Sequence, residues 1–162
     1  MFWASYGGGA YVLPKGSREP QRLQVAKTSD IKLLTSKSRP TKQIEDFVRE
    51  LQPSEHRMMG GAWKIIEVAR GTSTLYLHPQ DKEIGVWDMC APGLILREAG
   101  GMITDLSGMG VDYETGPLEH LRGLIVSNGT IHPSVIQRLR PYHSVKPYAT
   151  ESSTVAKHIQ RS

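Results

Sequence analysis

An α/β domain with a mainly parallel sheet flanked by helices is the fold class this sequence predicts, and three observations carry it. Short apolar runs of strand character recur along the chain, at Ile31 to Thr35, Thr74 to Leu77, Met102 to Leu106 and Leu124 to Val126. Between them lie segments whose apolar residues repeat at helical spacing. Gly and Pro fall at the joints, where a strand hands over to a helix.

Phe2 to Leu13 mixes aromatics with Gly7, Gly8 and Gly9 and reads as two short strand pieces joined by a tight turn. Pro14 to Pro20 is polar and turn-rich, and Leu23 to Val25 resumes a strand before a polar stretch ending at Asp30. After the strand Ile31 to Thr35, Ser38-Arg39-Pro40 supplies a helix start. Ile44, Phe47, Val48 and Leu51 then fall at i, i+3, i+4 and i+7, with Lys42, Glu45, Asp46 and Arg49 toward water and Pro53 closing the helix. Gly60 and Gly61 open a second helix in which Ala62, Ile65, Ile66 and Ala69 share a face until Gly71. Pro92 suits the first turn of a third helix carrying Leu94, Ile95 and Leu96 and stopped by Gly100-Gly101. A last helix carries Val135, Ile136 and Leu139. Residues 1–141 form one domain, and the polar tail 142–162, which shows no periodicity, is expected to be disordered.

Composition narrows the function. The 162 residues are enough to bury a core, and the net charge of +4 is spread with both signs mixed and no basic block. That pattern excludes generic nucleic-acid binding and suits a small anionic ligand. Cys90 is the only cysteine, so an internal disulfide framework is impossible and a reducing, cytoplasmic setting is expected. Neither a signal-peptide pattern nor a membrane-length apolar run occurs, so no membrane association is expected. No Gly-x-Gly-x-x-Gly follows a strand, which sets aside a dinucleotide-binding oxidoreductase.

The most informative stretch is Trp87-Asp88-Met89-Cys90-Ala91-Pro92, followed by Leu94 to Gly101 and Met102-Ile103-Thr104-Asp105. It resembles a signature of the inositol monophosphatase superfamily, a Trp-Asp pair, a small-residue helix and a Gly-Gly-x-x-Thr-Asp strand. The Cys-Ala-Pro version looks most like the branch that hydrolyses 3'(2'),5'-bisphosphate nucleotides. The resemblance implies the carboxyl-terminal half of the inositol monophosphatase-like fold, magnesium-dependent phosphate ester hydrolysis, and a small phosphorylated nucleotide or sugar as substrate. It makes Asp88 the metal-ligand candidate, in keeping with the preference of a hard divalent cation for carboxylate oxygen. From spacing alone, Asp88 reads equally well as the cap of a helix beginning near Ala91. Asp105 reads as a structural turn residue.

Gly60-Gly61-Ala62-Trp63-Lys64 resembles the family's Gly-rich segment ending in a lysine that meets the substrate's anionic side. The alternative is a Gly-opened helix with Lys64 snorkelling to solvent. Thr35-Ser36-Lys37-Ser38-Arg39 resembles the nucleotidases' substrate-contacting Ser-Arg-Ser-His segment, which makes Ser38 and Arg39 binding candidates. Lys37 stands there for arginine and Arg39 for histidine, which keeps positive charge and puts base or ribose contacts in doubt. Ser38 reads by default as a helix cap. Val86 replaces the Glu that many inositol phosphatases place before Trp-Asp, which argues against inositol as substrate. His78, at a loop edge, reads as solvated, and His120, His132 and His143 show no metal-ligand spacing. Cys90 reads as a small buried thiol, and Trp3 and Trp63 as packing residues.

The resemblance also implies what is missing. The family's Glu pair and Asp-Pro-Ile/Leu-Asp-Gly segment, which carry the other metal-binding carboxylates, do not occur here. No catalytic residue is assigned, and the chain alone is expected to be inactive. A truncated enzyme, a half that pairs with a separately encoded amino-terminal half or with itself, and a noncatalytic phosphate- or nucleotide-binding remnant all remain open. An apolar face is expected near Phe2, Trp3 and Tyr6.

Overall fold

Neighbouring leucines Leu33 and Leu34 are both buried, although adjacent side chains of a strand point to opposite faces. A sheet covered on both sides permits this. The structure, a computed structural model, describes residues 1–38, 41–80, 82–113, 119–120 and 122–142, with Glu119 and His120 described by backbone alone.

An antiparallel three-stranded sheet comes first, built from β1 (Phe2–Ser5), β2 (Gly9–Val12) and β3 (Gln21–Arg22). Next come β4 (Lys32–Ser36), α1 (Lys42–Leu51), β5 (Glu55–Met59), α2 (Trp63–Ala69) and β6 (Leu75–His78). The chain continues through β7 (Ile84–Gly85), α3 (Val86–Glu98), β8 (Met102–Thr104), β9 (Glu119–His120), β10 (Leu124–Ser127) and α4 (His132–Leu139). A 3-10 turn, Arg140–Tyr142, follows α4.

The larger sheet has the order β5-β4-β6-β10-β8. Its strands sort their side chains with period two. Leu34, Tyr76, Leu124 and Val126 face a core shared with Ile65, Ile66 and Val68 of α2, Met89 and Leu96 of α3, and the inward side of β1 and β2. Leu33, Leu75, Leu77 and Ile125 face the other core, with Ile44, Phe47 and Leu51 of α1 and Val135 and Leu139 of α4. The layers are therefore small sheet, helix pair, large sheet, helix pair. Phe47 is fully buried in the second core, where truncation to alanine costs about 3–5 kcal/mol.

The large sheet is mixed rather than mainly parallel. β4 pairs in parallel with β5 and β6, whereas β10 runs antiparallel to both β6 and β8. The reason lies in the return from β8 to β10, which contains a short strand pairing with β7 and no helix among its described residues. Without a crossover helix the chain comes back antiparallel. β5 has no counterpart in the apolar pattern, because it is an edge strand carrying exposed Glu55, His56 and Met58. The third helix starts at Val86, so Pro92 lies inside it rather than in its first turn. In α1 the cap is Thr41, whose Oγ1 accepts from the Ile44 N–H at 3.3 Å, so Ser38 is not the cap of that helix. Tyr142 packs edge-on against Phe47 and donates to Glu50 at 3.1 Å, while residues 143–162 lie outside the described ones.

Candidate functional site

Strands β4 and β6 run side by side in parallel and end at Ser36 and His78, and ligand clefts of α/β sheets open at such carboxyl ends. A cleft of about 120 Å³ lies there, lined among others by Ser36, Ser38, Gly61, Lys64, Tyr76, His78 and Asp88. It gathers four of the residues singled out in the sequence, Ser38, Gly61, Lys64 and Asp88. Gly60 precedes the cleft without lining it, and Arg39 lies outside the described residues.

Lys64 does not snorkel; it is 3% exposed. Its Nζ donates to the Gly61 carbonyl at 2.6 Å and the Met59 carbonyl at 3.4 Å, and lies 4.9 Å from the centre of the Tyr76 ring. Gly61 adopts φ +64°, a left-handed conformation that glycine enters without strain. A buried ammonium on the wall of a cleft interacts strongly with an anion, because little water competes.

Asp88 lies in the first turn of α3, whose N-cap is Gly85 with no side-chain capping bond. Capping is therefore not its role. Its carboxylate lies at the positive end of the helix dipole. Ser36 and Ser38 approach each other at 3.3 Å between their Oγ atoms. His78 is buried rather than solvated, at 1% exposure. Its Nε2 lies 3.1 Å from the Lys82 carbonyl, which can only accept, so Nε2 carries the proton and Nδ1 accepts from the Tyr76 hydroxyl at 3.1 Å. Tyr76 and His78 are the cleft residues that sequence reasoning missed. The signal was there in the alternation of Leu75, Tyr76, Leu77 and His78, which turns both polar residues to the Lys64 side.

Asp88 suits magnesium as one oxygen ligand. Magnesium needs several more, and among the described residues no group of three or more His, Cys, Asp or Glu gathers to hold a metal. The described residues of this chain do not by themselves build a magnesium cage.

Outside the cleft, Asp105 is structural, accepting from the Ser107 N–H and hydroxyl and the Met109 N–H and pairing with Arg122 at 3.5 Å. Cys90 is exposed, not buried, because the inward line of α3 runs through Met89, Gly93 and Leu96. Trp3 stacks on Tyr11 at 5.7 Å, and Trp63 meets Phe2 edge-on at 5.2 Å while remaining 44% exposed. A groove of about 770 Å³ bordered by Arg22, Lys27, Glu98 and Asn128 contains none of the sequence-predicted site residues. Among the described residues no helix is long and apolar enough to cross a membrane.

A mixed sheet covered on both faces by helices, with a polar cleft at the strand ends, defines an α/β protein of layered construction. The chain belongs to the inositol monophosphatase family, whose model matches residues 1–144. Curated relatives include the 3',5'-bisphosphate nucleotidase 2 of Arabidopsis thaliana, 28% identical over 149 residues, covering 86% of this chain and 43% of that protein. The histidinol-phosphatase of Mycobacterium tuberculosis is 29% identical over 148 residues, covering 85% and 52%. The 3'(2'),5'-bisphosphate nucleotidase 1 of Dictyostelium discoideum is 30% identical over 130 residues, covering 77% and 40%. Among solved structures, the IMPase of Thermotoga maritima superposes with a TM-score of 0.66 at 25% identity, covering 86% of this chain and 50% of that one. Staphylococcal IMPase-II shares the fold, with a TM-score of 0.68 at 23% identity over 88% of this chain and 52% of that one. This chain spans about half the length of the proteins it matches.

Proposed function

We propose that this chain is the carboxyl-terminal half of a metal-dependent phosphate monoester hydrolase that removes the 3'-phosphate from 3'-phosphoadenosine 5'-phosphate. The observation that carries the reading is the buried Lys64 ammonium in one cleft with the Asp88 carboxylate. A cation to hold phosphate beside an oxygen ligand for a hard metal is the minimum such chemistry requires. Lys64 binds and orients the phosphate, Ser36 and Ser38 offer hydroxyls to its oxygens or to the ribose, and Asp88 holds one magnesium ion. When bound, magnesium supplies an activated water and stabilises the leaving oxygen. The remaining carboxylates come from the half of the family's length that this chain does not span, joined to it or carried on a separate polypeptide. Nucleotide is preferred to inositol because Val86, the first residue of α3, offers no carboxylate to a sugar hydroxyl. A cytoplasmic site of action agrees with the lone Cys90.

The test is phosphate release from 3'-phosphoadenosine 5'-phosphate with magnesium, by the chain alone, by its Asp88→Ala variant, and by the chain mixed with a family amino-terminal half. Turnover only in the mixture, abolished by Asp88→Ala, is expected. Turnover of inositol phosphate instead would refute the substrate assignment. A noncatalytic phosphate-binding role is the second reading, favoured by the single carboxylate in the cleft, and binding without turnover in an associated mixture would establish it.

A further inference from the structure

Strand β6 carries two polar side chains on the face turned to α2, and both are buried, Tyr76 at 2% exposure and His78 at 1%. A buried hydroxyl or imidazole left without partners is costly, so the bonds it makes show what holds it. Here they run in one direction. The Lys82 carbonyl accepts from His78 Nε2–H at 3.1 Å, which leaves Nδ1 of the neutral ring free to accept from the Tyr76 hydroxyl, also at 3.1 Å. The two rings meet edge-on at 74°, with centroids 6.4 Å apart. The Tyr76 hydroxyl is therefore pinned by a histidine whose tautomer a backbone carbonyl has chosen.

At the other end of this series stands Lys64, whose Nζ lies over the Tyr76 ring, 4.9 Å from its centre. A lysine ordinarily carries its ammonium out to water on four flexible carbons. Of the two carbonyls that hold this one, Gly61 belongs to the turn leading into α2 and follows that helix, and Met59, at the end of edge strand β5, is 3.4 Å away, a long and weak bond. The Tyr76 ring comes instead from β6, an interior strand of the large sheet. It registers the ammonium against the strand ends where the cleft opens.

We infer that Tyr76 and His78 are positioning residues that hold the Lys64 ammonium in the wall of the cleft, His78 by fixing the Tyr76 hydroxyl and Tyr76 by presenting its ring face to the charge. In this role both act through Lys64. A cation over an aromatic face is attracted by the ring quadrupole, most strongly where water is excluded, and Lys64 is 3% exposed. The inference rests on the proposed function in one respect, that the anion Lys64 meets is a phosphate.

The test follows the Lys64 ammonium itself, by proton–nitrogen correlation NMR of lysine side chains in the full chain, with inorganic phosphate as titrant. Its signal is expected at high field from the ring current and slow to exchange with water, and phosphate should move it. Tyr76→Leu should return the signal to ordinary field and weaken phosphate binding about 10-fold, the scale of a desolvated cation over a ring. Tyr76→Phe keeps the ring, so the high field should remain while binding weakens about threefold and exchange with water quickens. His78→Leu should do the same, with little further loss when the two are combined, because both break one bond. His78→Asn restores an acceptor for the hydroxyl and should recover most of the loss. Tyr76→Phe, the mildest change, reads the hydroxyl even if the leucine variants unfold. An ammonium at ordinary field in the unmutated chain, a Tyr76→Phe variant indistinguishable from it, additive losses in the pair, or His78→Asn no better than His78→Leu would each overturn the inference. If phosphate leaves the signal unmoved while the variants still displace it, the phosphate reading fails and the positioning role stands.

Discussion

Lys64 shows how one side chain is fixed by backbone carbonyls and an aromatic ring. The Gly61 carbonyl holds its ammonium, and the Tyr76 ring lies beneath it. Replacing it with methionine keeps the volume and removes the charge. Lys64→Met is expected to weaken phosphate-ester binding in the completed enzyme by about 10- to 100-fold, corresponding to the roughly 1.5–3 kcal/mol of a charged hydrogen bond, as read by calorimetric titration. His132 serves stability instead. Thr104 Oγ1 donates to the Asp105 carbonyl, so at 3.0 Å it accepts from His132 Nε2–H, and His132 Nδ1 then accepts from the Ser127 hydroxyl at 2.7 Å. Burial holds the His132 pKa below its ordinary 6.5, and desolvation shifts His56, on the edge strand, in the same direction. Above pH 6.5 both states are neutral and the stability is complete. Below it the unfolded chain binds protons first, and stability drains until the folded-state pKa is passed. Urea midpoints should fall between pH 7.5 and 5.5, and His132→Gln should flatten that fall. Lys64 and Asp88, which line one cleft, could be singled out in the sequence because each stands in a local motif. The alternation along β6 marks the side on which Tyr76 and His78 lie, but not their burial, which depends on packing against α2.

At the scale of elements, sequence pattern carried as far as local periodicity reaches. Helix α1 was readable from Ile44, Phe47, Val48 and Leu51 because one face meets one core. The start of α3 was hidden, since Pro92 is commonest at first turns and here sits in the interior, leaving the Asp88 carbonyl without a helical donor. Strand β5 was invisible because an exposed edge needs no apolar alternation, and the reversal of β10 depends on a connection rather than on its residues. One link between elements joins α3 to the small sheet. Both carboxylate oxygens of Glu98 accept from the hairpin between β1 and β2, from Gly7 N–H and Gly9 N–H at 2.9 Å each. Those two bonds hold the Glu98 carboxyl below its usual range, with Arg22 and Arg97 adding to the shift. The tether is therefore complete above pH 4.5 and is lost as pH falls through the lowered folded value. Glu98→Ala is expected to speed amide exchange at Gly7 and Gly9 at neutral pH, leaving the amides of β6 and β10 unchanged.

At the scale of the whole molecule, the three-stranded and five-stranded sheets are joined by the helix pair α2 and α3, and the two sheets differ in self-sufficiency. The large sheet has both faces covered within the described residues, whereas the small one keeps Trp3 and Tyr11 partly exposed on its outer face. Family membership was readable from the signature around Asp88, because so long a motif rarely arises by chance. The order of strands in space was not, since it is set by long-range pairing that local residues do not encode. That order has a consequence for biosynthesis. β10 sits between β6 and β8 and is the last strand made among the described residues. Until Ser127 has left the ribosome, β8 has no partner in its own sheet and the apolar edge of β6 stays open. A nascent chain halted after residue 120 should be cut quickly by protease, and one released after residue 142 should resist. The chain thus commits its large sheet in one late step, and only then does the cleft at the ends of β4 and β6 gain a rigid floor.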